Sequence, residues 1–161
     1  MKYFLDTEFN GYKGELISVG LIRQDGLALY LVRDIGKFPL RQTLVPWVAE
    51  NVIPVLDKIP SSLSIAYFNE TSLSDQLYQF LIQDPDQQPV IVVDWLDDVS
   101  YLCESLIVGP GQMVPLPTLS FELKRVDAYP SVLEEAVQHN ALWDAIALRA
   151  KLTGELHWFK Y

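Results

Sequence analysis

The chain begins MKYFLDTEFNG (residues 1–11), and this stretch decides the fold and points to the chemistry. Tyr3, Phe4 and Leu5 are typical of a buried β-strand, yet they lead directly into Asp6 and Glu8. An unpaired carboxylate taken out of water costs several kcal/mol. Because residues i and i+2 of a strand point to the same face, the two acids should lie side by side. A divalent cation stabilises such a pair, so the stretch predicts a metal site.

Length and composition favour one domain spanning residues 1–161, since the chain is 50% hydrophobic and long enough to bury a core. It contains no long apolar run and no secretory signal, so we expect a cytoplasmic protein with no membrane partner. The single cysteine, Cys103, excludes an internal disulfide and is expected to pack in the core. The net charge of −9 argues against a broad phosphate-binding surface, but not against an enzyme that reaches phosphates through bound metal ions.

The first third of the sequence predicts an antiparallel meander. The β-rich segments ELISVGLIR (15–23) and LALYLVRD (27–34) flank the turn Asp25-Gly26 and follow the first strand. The proline-rich segment after them favours only a short helix near 46–52.

The remainder predicts alternating helices and strands. We expect a helix after the capping-box-like residues 72–75, a buried strand over 89–94, a helix over 95–107 and an irregular surface loop over 108–119. A last helix should run from a cap at Asn140 to a stop at Gly154. The whole predicts an α/β fold, a mixed sheet with helices packed on it.

Three acid-bearing sites are separated in sequence but can converge in space. The first is Asp6-Thr7-Glu8. The second is VVDWLDDVSYL, where Asp94 ends a strand and Asp97 and Asp98 open the next helix. The third is HNALWDA, which contains His139 and Asp144. Each has a structural alternative, because acids in a first helical turn favour the helix dipole and a histidine before a helix is often structural.

In this order, the three motifs resemble the DEDDh superfamily of 3′-5′ exonucleases. The segments YFLDTEF, ELISVGLI, WVAENVIPVL and VPLPTLSFELKR are, more closely, similar to small bacterial and phage exoribonucleases of the RNase AS type. The resemblance implies a ribonuclease H-like fold: a mixed five- to six-stranded sheet, its first three strands antiparallel, flanked by helices. It also implies a single-stranded RNA 3′ end as substrate, with adenylate tracts preferred in some members, and a homodimer.

The resemblance implies that four acids hold two Mg²⁺ or Mn²⁺ ions and that His139 is the general base. The acids are Asp6, Glu8, Asp98 and Asp144, with Asp6 the candidate to bridge both ions. The middle motif departs from the family, which has an aromatic residue where this chain has Asp97. The wider superfamily often has Asn four residues before the metal-binding Asp, where this chain has Asp94, so the resemblance favours Asp98 as the ligand. Asp94 would then flank the site and Asp97 would point away from it, with Asp94 and Asp97 as the alternative ligands.

Substrate contacts are expected from Thr7, Phe9 and Asn140, which adjoin the acidic motifs. Trp143 has two interpretations, a stacking residue or core filler, and its place in the apolar stripe of its helix favours the core. Arg149 either reaches a phosphate or pairs with an acid, and the sequence does not decide between these.

Other classes of function stay open. DNA is an alternative substrate, because discrimination rests on the 2′-hydroxyl. A catalytically inactive nucleic-acid-binding relative should have lost a ligand position, whereas all five positions are filled here. A different metal-dependent phosphoryl-transfer enzyme should carry a glycine-rich loop that opens a helix, and FNGYKGE is instead followed by a strand pattern.

Overall fold

The computed structural model describes residues 1–84, 88–116, 118–127 and 133–155. Its first three strands form the predicted meander: β1 (Lys2–Phe9), β2 (Leu16–Arg23) and β3 (Ala28–Arg33), paired antiparallel in that order. Gly26 has a φ of +96° at the turn between β2 and β3, a conformation that glycine adopts without a steric penalty. The meander therefore follows from the strand pattern and from the turn residues.

Three further strands join the meander: β4 (Ala66–Phe68), β5 (Val90–Val93) and β8 (Ser120–Leu123); β6 (Ile107–Gly109) and β7 (Gln112–Met113) form a separate sheet. The three strands pair in parallel and complete a six-stranded mixed sheet of order β4-β3-β2-β1-β5-β8. The central position of β5 agrees with its continuous run of β-branched residues. The sheet confirms the predicted fold class and is consistent with a ribonuclease H-like fold.

Four helices flank the sheet: α1 (Pro46–Asn51), α2 (Leu73–Leu81), α3 (Leu96–Ser105) and α4 (Ala141–Thr153). A short 3₁₀ turn, Ile53–Val55, follows α1. None of the helices in the described ranges is long and apolar enough to cross a bilayer.

The core lies on both faces of the sheet. Tyr3 and Leu5 of β1 belong to the cluster that includes residues of α2 and α3, whereas Phe4 belongs to the cluster built on α4. Nine of the 13 residues of α4 are buried, so this helix is apolar nearly all round instead of along the predicted stripe. The first turn of α4 is thereby fixed against the centre of the sheet.

Two local predictions were wrong. Residues 108–119 were expected to be irregular, but β6 (Ile107–Gly109) and β7 (Gln112–Met113) form a small hairpin, with Gly111 at a φ of +68° between them. The predicted capping box at the start of α2 is absent, because the hydroxyl of Ser72 accepts a hydrogen bond from the backbone N–H of Asn69 instead of capping the helix. The start of α2 is nevertheless where the sequence indicated.

Candidate active site

The carboxylates of Asp6 and Glu8 lie on the face of β1 that meets α4. Asp6 pairs in register with Gly20 of β2. A Cβ atom placed on Gly20 would lie 2.1 Å from the backbone oxygen of Ala141, the first residue of α4. Because Gly20 has no side chain, the N-terminal turn of α4 can approach the sheet beside Asp6. The role of Gly20 was not predicted from the sequence. A glycine inside an unbroken strand pattern can mark a close approach of another backbone, and that was the available signal.

Asp144 lies in that first turn of α4, and its own helix start orients it. The Asn140 side chain caps the helix by accepting hydrogen bonds from the backbone N–H groups of Leu142 and Trp143. In return, Oδ2 of Asp144 accepts a hydrogen bond of 3.1 Å from the backbone N–H of Asn140. This reciprocal arrangement holds the Asp144 carboxylate at the helix end nearest β1.

Asp98 reaches the same place from the other face of the sheet. It lies in the first turn of α3 and is 2% exposed. Its Oδ1 accepts two hydrogen bonds from Thr7, one of 3.0 Å from the backbone N–H and one of 2.7 Å from the hydroxyl. Oδ2 of Asp98 is buried and has no hydrogen-bond partner within the described part of the chain. A buried carboxylate oxygen without a partner indicates a missing cation or donor.

The pairing of β1 with β5 places Asp94 beside the other acids. β1 and β5 are parallel, with Phe4 opposite Val92, so extending the register by two residues places Asp94 level with Asp6. With Asp98 as the ligand, Asp94 was expected to flank the site, and the structure brings both beside Asp6.

These acids form two overlapping sets with Asp6 in common. One set is Asp6, Asp94 and Asp98; the other is Asp6, Glu8 and Asp144. Within each set, one oxygen from each carboxylate lies within 4.8 Å of the others. The predicted acids Asp6, Glu8, Asp98 and Asp144 are therefore brought together, and Asp97 belongs to neither set.

Burial raises the pKa of every acid in the cluster, and repulsion between carboxylates adds to this effect for all of them except Asp94. Desolvation is the main cause for Glu8, whose pKa rises to about 8, with Asp144 and Asp98 adding repulsion. Desolvation likewise raises the pKa of Asp98 to about 7 and that of Asp144 to about 7, against the opposing effect of their hydrogen bonds. The pKa of Asp6 is raised well above its ordinary value by burial, then by its acidic neighbours. Such a cluster is unfavourable without a positive charge.

The donor set fits a hard divalent cation. All of the clustered ligands are carboxylate oxygens, which suit Mg²⁺ or Mn²⁺ better than zinc. The unpartnered Oδ2 of Asp98 supports this fit, because an additional ligand bond would satisfy it. Each of the two sets that share Asp6 is a group that could hold a metal ion.

His139 stands at the rim of this cluster in a strained conformation. Its φ is +61°, a left-handed value that is uncommon outside glycine. Its ring meets Trp47 edge to face, with ring centroids 4.8 Å apart and an interplanar angle of 78°. Burial lowers the pKa of His139, which favours the neutral imidazole. The backbone of His139 lowers the pKa of Asp144, so this residue lies close to the acids.

A cavity of about 240 Å³ opens beside the acids and has aromatic walls. Its lining includes Asp6, Glu8 and Asp98 together with Phe9, Trp47 and Trp95. The position of Phe9 agrees with the expectation that it lines a substrate pocket, and Tyr101 stacks on its ring at 4.5 Å. A larger cavity of about 780 Å³ lies elsewhere and is lined by none of the clustered acids. The chemistry of the site therefore belongs to the smaller cavity.

Two residues that were predicted to contact the substrate make structural contacts in the protein. Asn140 is fully buried, and its amide caps α4 and donates to the backbone oxygens of Val55 and Lys58. Thr7 is 5% exposed and uses its hydroxyl to hold Asp98. The sequence places both residues next to the acids, but adjacency in sequence does not distinguish a substrate contact from a positioning contact.

Trp143 and Arg149, which had two interpretations each, and Cys103, which was expected in the core, now have locations. Trp143 is in the core, as favoured, and its indole N–H donates to the backbone oxygen of Lys58. Arg149 is buried and pairs with Glu155, so it does not reach the acid cluster. Cys103 is half-buried.

The fold and the site together define a mixed α/β protein with a cluster of acids on its sheet that could hold a metal ion. No family model matches the chain. The chain is similar to two proteins named 3′-5′ exoribonuclease from Mycobacterium tuberculosis, one from strain CDC 1551 / Oshkosh and one from strain H37Rv. Each is 28% identical over 130 residues, which cover 78% of this chain and 73% of the relative. This similarity supports a nuclease relationship.

Proposed function

We propose that this protein is a metal-dependent 3′-5′ exoribonuclease of the DEDDh type, related to the RNase AS group, that releases nucleoside 5′-monophosphates from single-stranded RNA. The observation that carries the proposal is the pair of carboxylate sets that share Asp6. The similarity to proteins named 3′-5′ exoribonuclease supports the same substrate class and polarity.

In this proposal, Asp6, Glu8, Asp98 and Asp144 hold two Mg²⁺ or Mn²⁺ ions, and Asp94 assists on the Asp98 side. Bound at this position, divalent cations would activate water and offset the charge that develops on the scissile phosphate and the departing 3′ oxygen. The cluster supplies the carboxylates, and Thr7 and Asn140 fix two of them in place. The protein thus provides a preorganised set of ligands.

His139 is proposed to accept the proton of the attacking water at a ring nitrogen. Its lowered pKa keeps the ring neutral and able to accept a proton at neutral pH. The edge-to-face contact with Trp47 limits the orientations that the ring can adopt. Trp47, which contacts His139, lines the 240 Å³ cavity with Asp6, Glu8 and Asp98, and the Phe9 wall of that cavity would contact the terminal nucleotide.

The net charge of −9 shapes how RNA would bind. A chain with 12 basic and 21 acidic residues cannot rely on extended phosphate neutralisation, so affinity should come from the cations and from stacking contacts. The salt dependence of binding should accordingly be shallow. We also expect a homodimer, which light scattering of the purified protein would test.

The test is degradation of end-labelled single-stranded RNA and of DNA of matched sequence. RNA, especially with adenines at its 3′ end, should shorten in the presence of Mg²⁺ or Mn²⁺, stop in excess EDTA and resume when metal is restored. The Asp98→Asn protein is the matched control and should be inactive under all conditions. Full activity in EDTA would refute the metal-dependent proposal, and faster degradation of DNA would move the assignment to an exodeoxyribonuclease.

A further inference from the structure

Trp95 is held rigidly although its indole is 52% exposed. The Arg125 guanidinium lies over its ring, 4.5 Å from the centroid. The indole Nε1–H donates a hydrogen bond of 3.1 Å to Oδ2 of Asp97. Arg125 is itself anchored by a 2.9 Å hydrogen bond to the backbone oxygen of Asp94. Trp95 thus contacts Arg125 and Asp97 directly and is linked to Asp94 through Arg125. These contacts hold a large aromatic ring at the surface without burying it.

The Trp95 ring lies beside the candidate active site. Trp95 lines the 240 Å³ cavity together with Asp6, Glu8 and Asp98, whereas Arg125 is not among the lining residues. Trp95 therefore contributes surface to the space beside the acids, and Arg125 does not. Of the other two aromatic walls, Phe9 is stacked on Tyr101 and Trp47 contacts His139.

We infer that Trp95 is a stacking platform for the nucleobase of the 3′-terminal nucleotide, and that Asp97 and Arg125 are positioning residues for it. The inference rests on the proposed function, in which the phosphate of that nucleotide lies at the acid cluster. Stacking on an aromatic ring contributes to the binding of any base, because every base has a π-face. An indole held in place beforehand loses less conformational entropy when a base binds, so more of the stacking energy appears as affinity.

This role explains why an aspartate occupies position 97. A carboxylate beside Asp98 adds negative charge near an already acidic cluster, which is unfavourable unless it serves another purpose. Its bond to the indole of Trp95 supplies that purpose and directs its oxygen away from the two ligand sets. The Arg125 guanidinium beside Trp95 also supplies a positive charge close to Asp94, and it lowers the pKa of Asp94 against the larger effect of burial.

The test compares two small ligands, one with a base and one that carries a hydroxyl group in place of the base. Adenosine 5′-monophosphate and ribose 5-phosphate are titrated calorimetrically into the protein in Mg²⁺. The unaltered protein should prefer the nucleotide, and Trp95→Ala should reduce that preference by about tenfold or more while leaving the affinity for ribose 5-phosphate unchanged. Trp95→Phe should keep most of the preference, and Asp97→Ala should lose part of it at an unchanged melting temperature.

The matched control is Tyr67→Ala, which removes another aromatic side chain, 60% exposed, from the edge strand β4. It should leave both affinities unchanged. Equal binding of the two ligands to the unaltered protein, or a full preference retained by Trp95→Ala, would overturn the inference.

RNA degradation measured on the same preparations separates the two proposals. A protein that degrades RNA but shows no Trp95-dependent base preference keeps the proposed function and loses the stacking platform. A protein that shows the preference but does not degrade RNA keeps the platform as a nucleotide site and loses the exoribonuclease assignment.

Discussion

Thr7 donates two hydrogen bonds to a single oxygen of Asp98, a residue 91 positions later in the chain. The bonds come from the backbone N–H and from the hydroxyl, at 3.0 Å and 2.7 Å. They occupy Oδ1 and leave the buried Oδ2 for another ligand. β1 thus contributes to the cluster twice, by its own acids and by orienting the acid of α3.

Thr7→Val should therefore weaken the site without removing any of its acids. Valine keeps the shape of the side chain and the backbone N–H but lacks the hydroxyl, so Asp98 loses one of the two bonds that orient it. Loss of such a supporting bond costs roughly 10- to 100-fold in metal affinity or activity. The measurement is the Mg²⁺ concentration that gives half-maximal RNA degradation. Thr7→Ser, which restores the hydroxyl, should recover most of the affinity; identical behaviour of valine and serine would show that the hydroxyl is not used.

Asp98→Asn should reduce activity far more than Asp97→Asn. Asp98 is buried within a carboxylate set, whereas Asp97 contacts Trp95 and an asparagine there still offers an oxygen to the indole. Initial rates with labelled RNA at saturating Mg²⁺ distinguish the two. Equal losses, or a greater loss at position 97, would mean that the middle motif has been placed one residue out of register.

Gly20→Ala should lower both stability and activity. The added methyl group would lie 2.1 Å from the backbone of Ala141, so α4 must move away from β2 and carry Asp144 away from Asp6. Overpacking of this kind costs about 1–3 kcal/mol in the free energy of unfolding. Urea denaturation measures the loss. Gly36→Ala is the matched control, because its new methyl group meets only Asp34 Oδ1 at 3.5 Å; similar losses for both variants would exclude the close approach as the cause.

The metal-free protein should become less stable as pH rises through neutrality. Glu8, Asp98 and Asp144 have ordinary pKa values of 4.5, 3.8 and 3.8, and burial raises their pKa values in the folded protein to about 8, 7 and 7. The folded state therefore holds protons that the unfolded state has released. The stabilisation from protonation is fully present below about pH 4 and is lost as pH rises through about 7 to 8.

Chemical denaturation in EDTA at a series of pH values measures this effect. Asp98→Asn should flatten the pH dependence and be more stable than the unaltered protein above pH 8. Added Mg²⁺ should restore stability at high pH, because the cation replaces the protons. A free energy of unfolding that rose with pH over this range in EDTA would contradict the description of the cluster.

The sequence predicted the elements whose patterns are local and strong. The meander, β5, α3 and the Asn140 and Gly154 limits of α4 all follow from side-chain periodicity and turn or cap residues. It did not indicate β4 or β8, which have three and four residues and lie at the edges of the sheet. Strands that short carry little periodicity of their own, and their pairing is decided by the strands beside them.

The site residues also divide into those that the sequence indicated and those whose roles depend on contacts between distant segments. Residue type and order indicated three acid-bearing segments that can converge, and the resemblance to the DEDDh superfamily selected Asp6, Glu8, Asp98 and Asp144 among them. The roles of Gly20, Thr7 and Asp97 depend on contacts between distant segments: Gly20 with the start of α4, Thr7 with Asp98, and Asp97 with the indole of Trp95. No local pattern reports such contacts, and a threonine between two acids has no feature that marks it as a donor to a third.

The most direct test of the central claim is product analysis on three forms of one adenine-ending RNA: linear with a 3′-hydroxyl, linear with a 3′-phosphate, and circular. With Mg²⁺, the account predicts that the 5′-labelled 3′-hydroxyl form shortens one nucleotide at a time and releases nucleoside 5′-monophosphates. The 3′-phosphate form should resist, because the extra charge and bulk occupy the place of the terminal hydroxyl, and the circle should stay intact. Cleavage of the circular RNA would contradict the exonuclease assignment, and so would the absence of any degradation of the 3′-hydroxyl form.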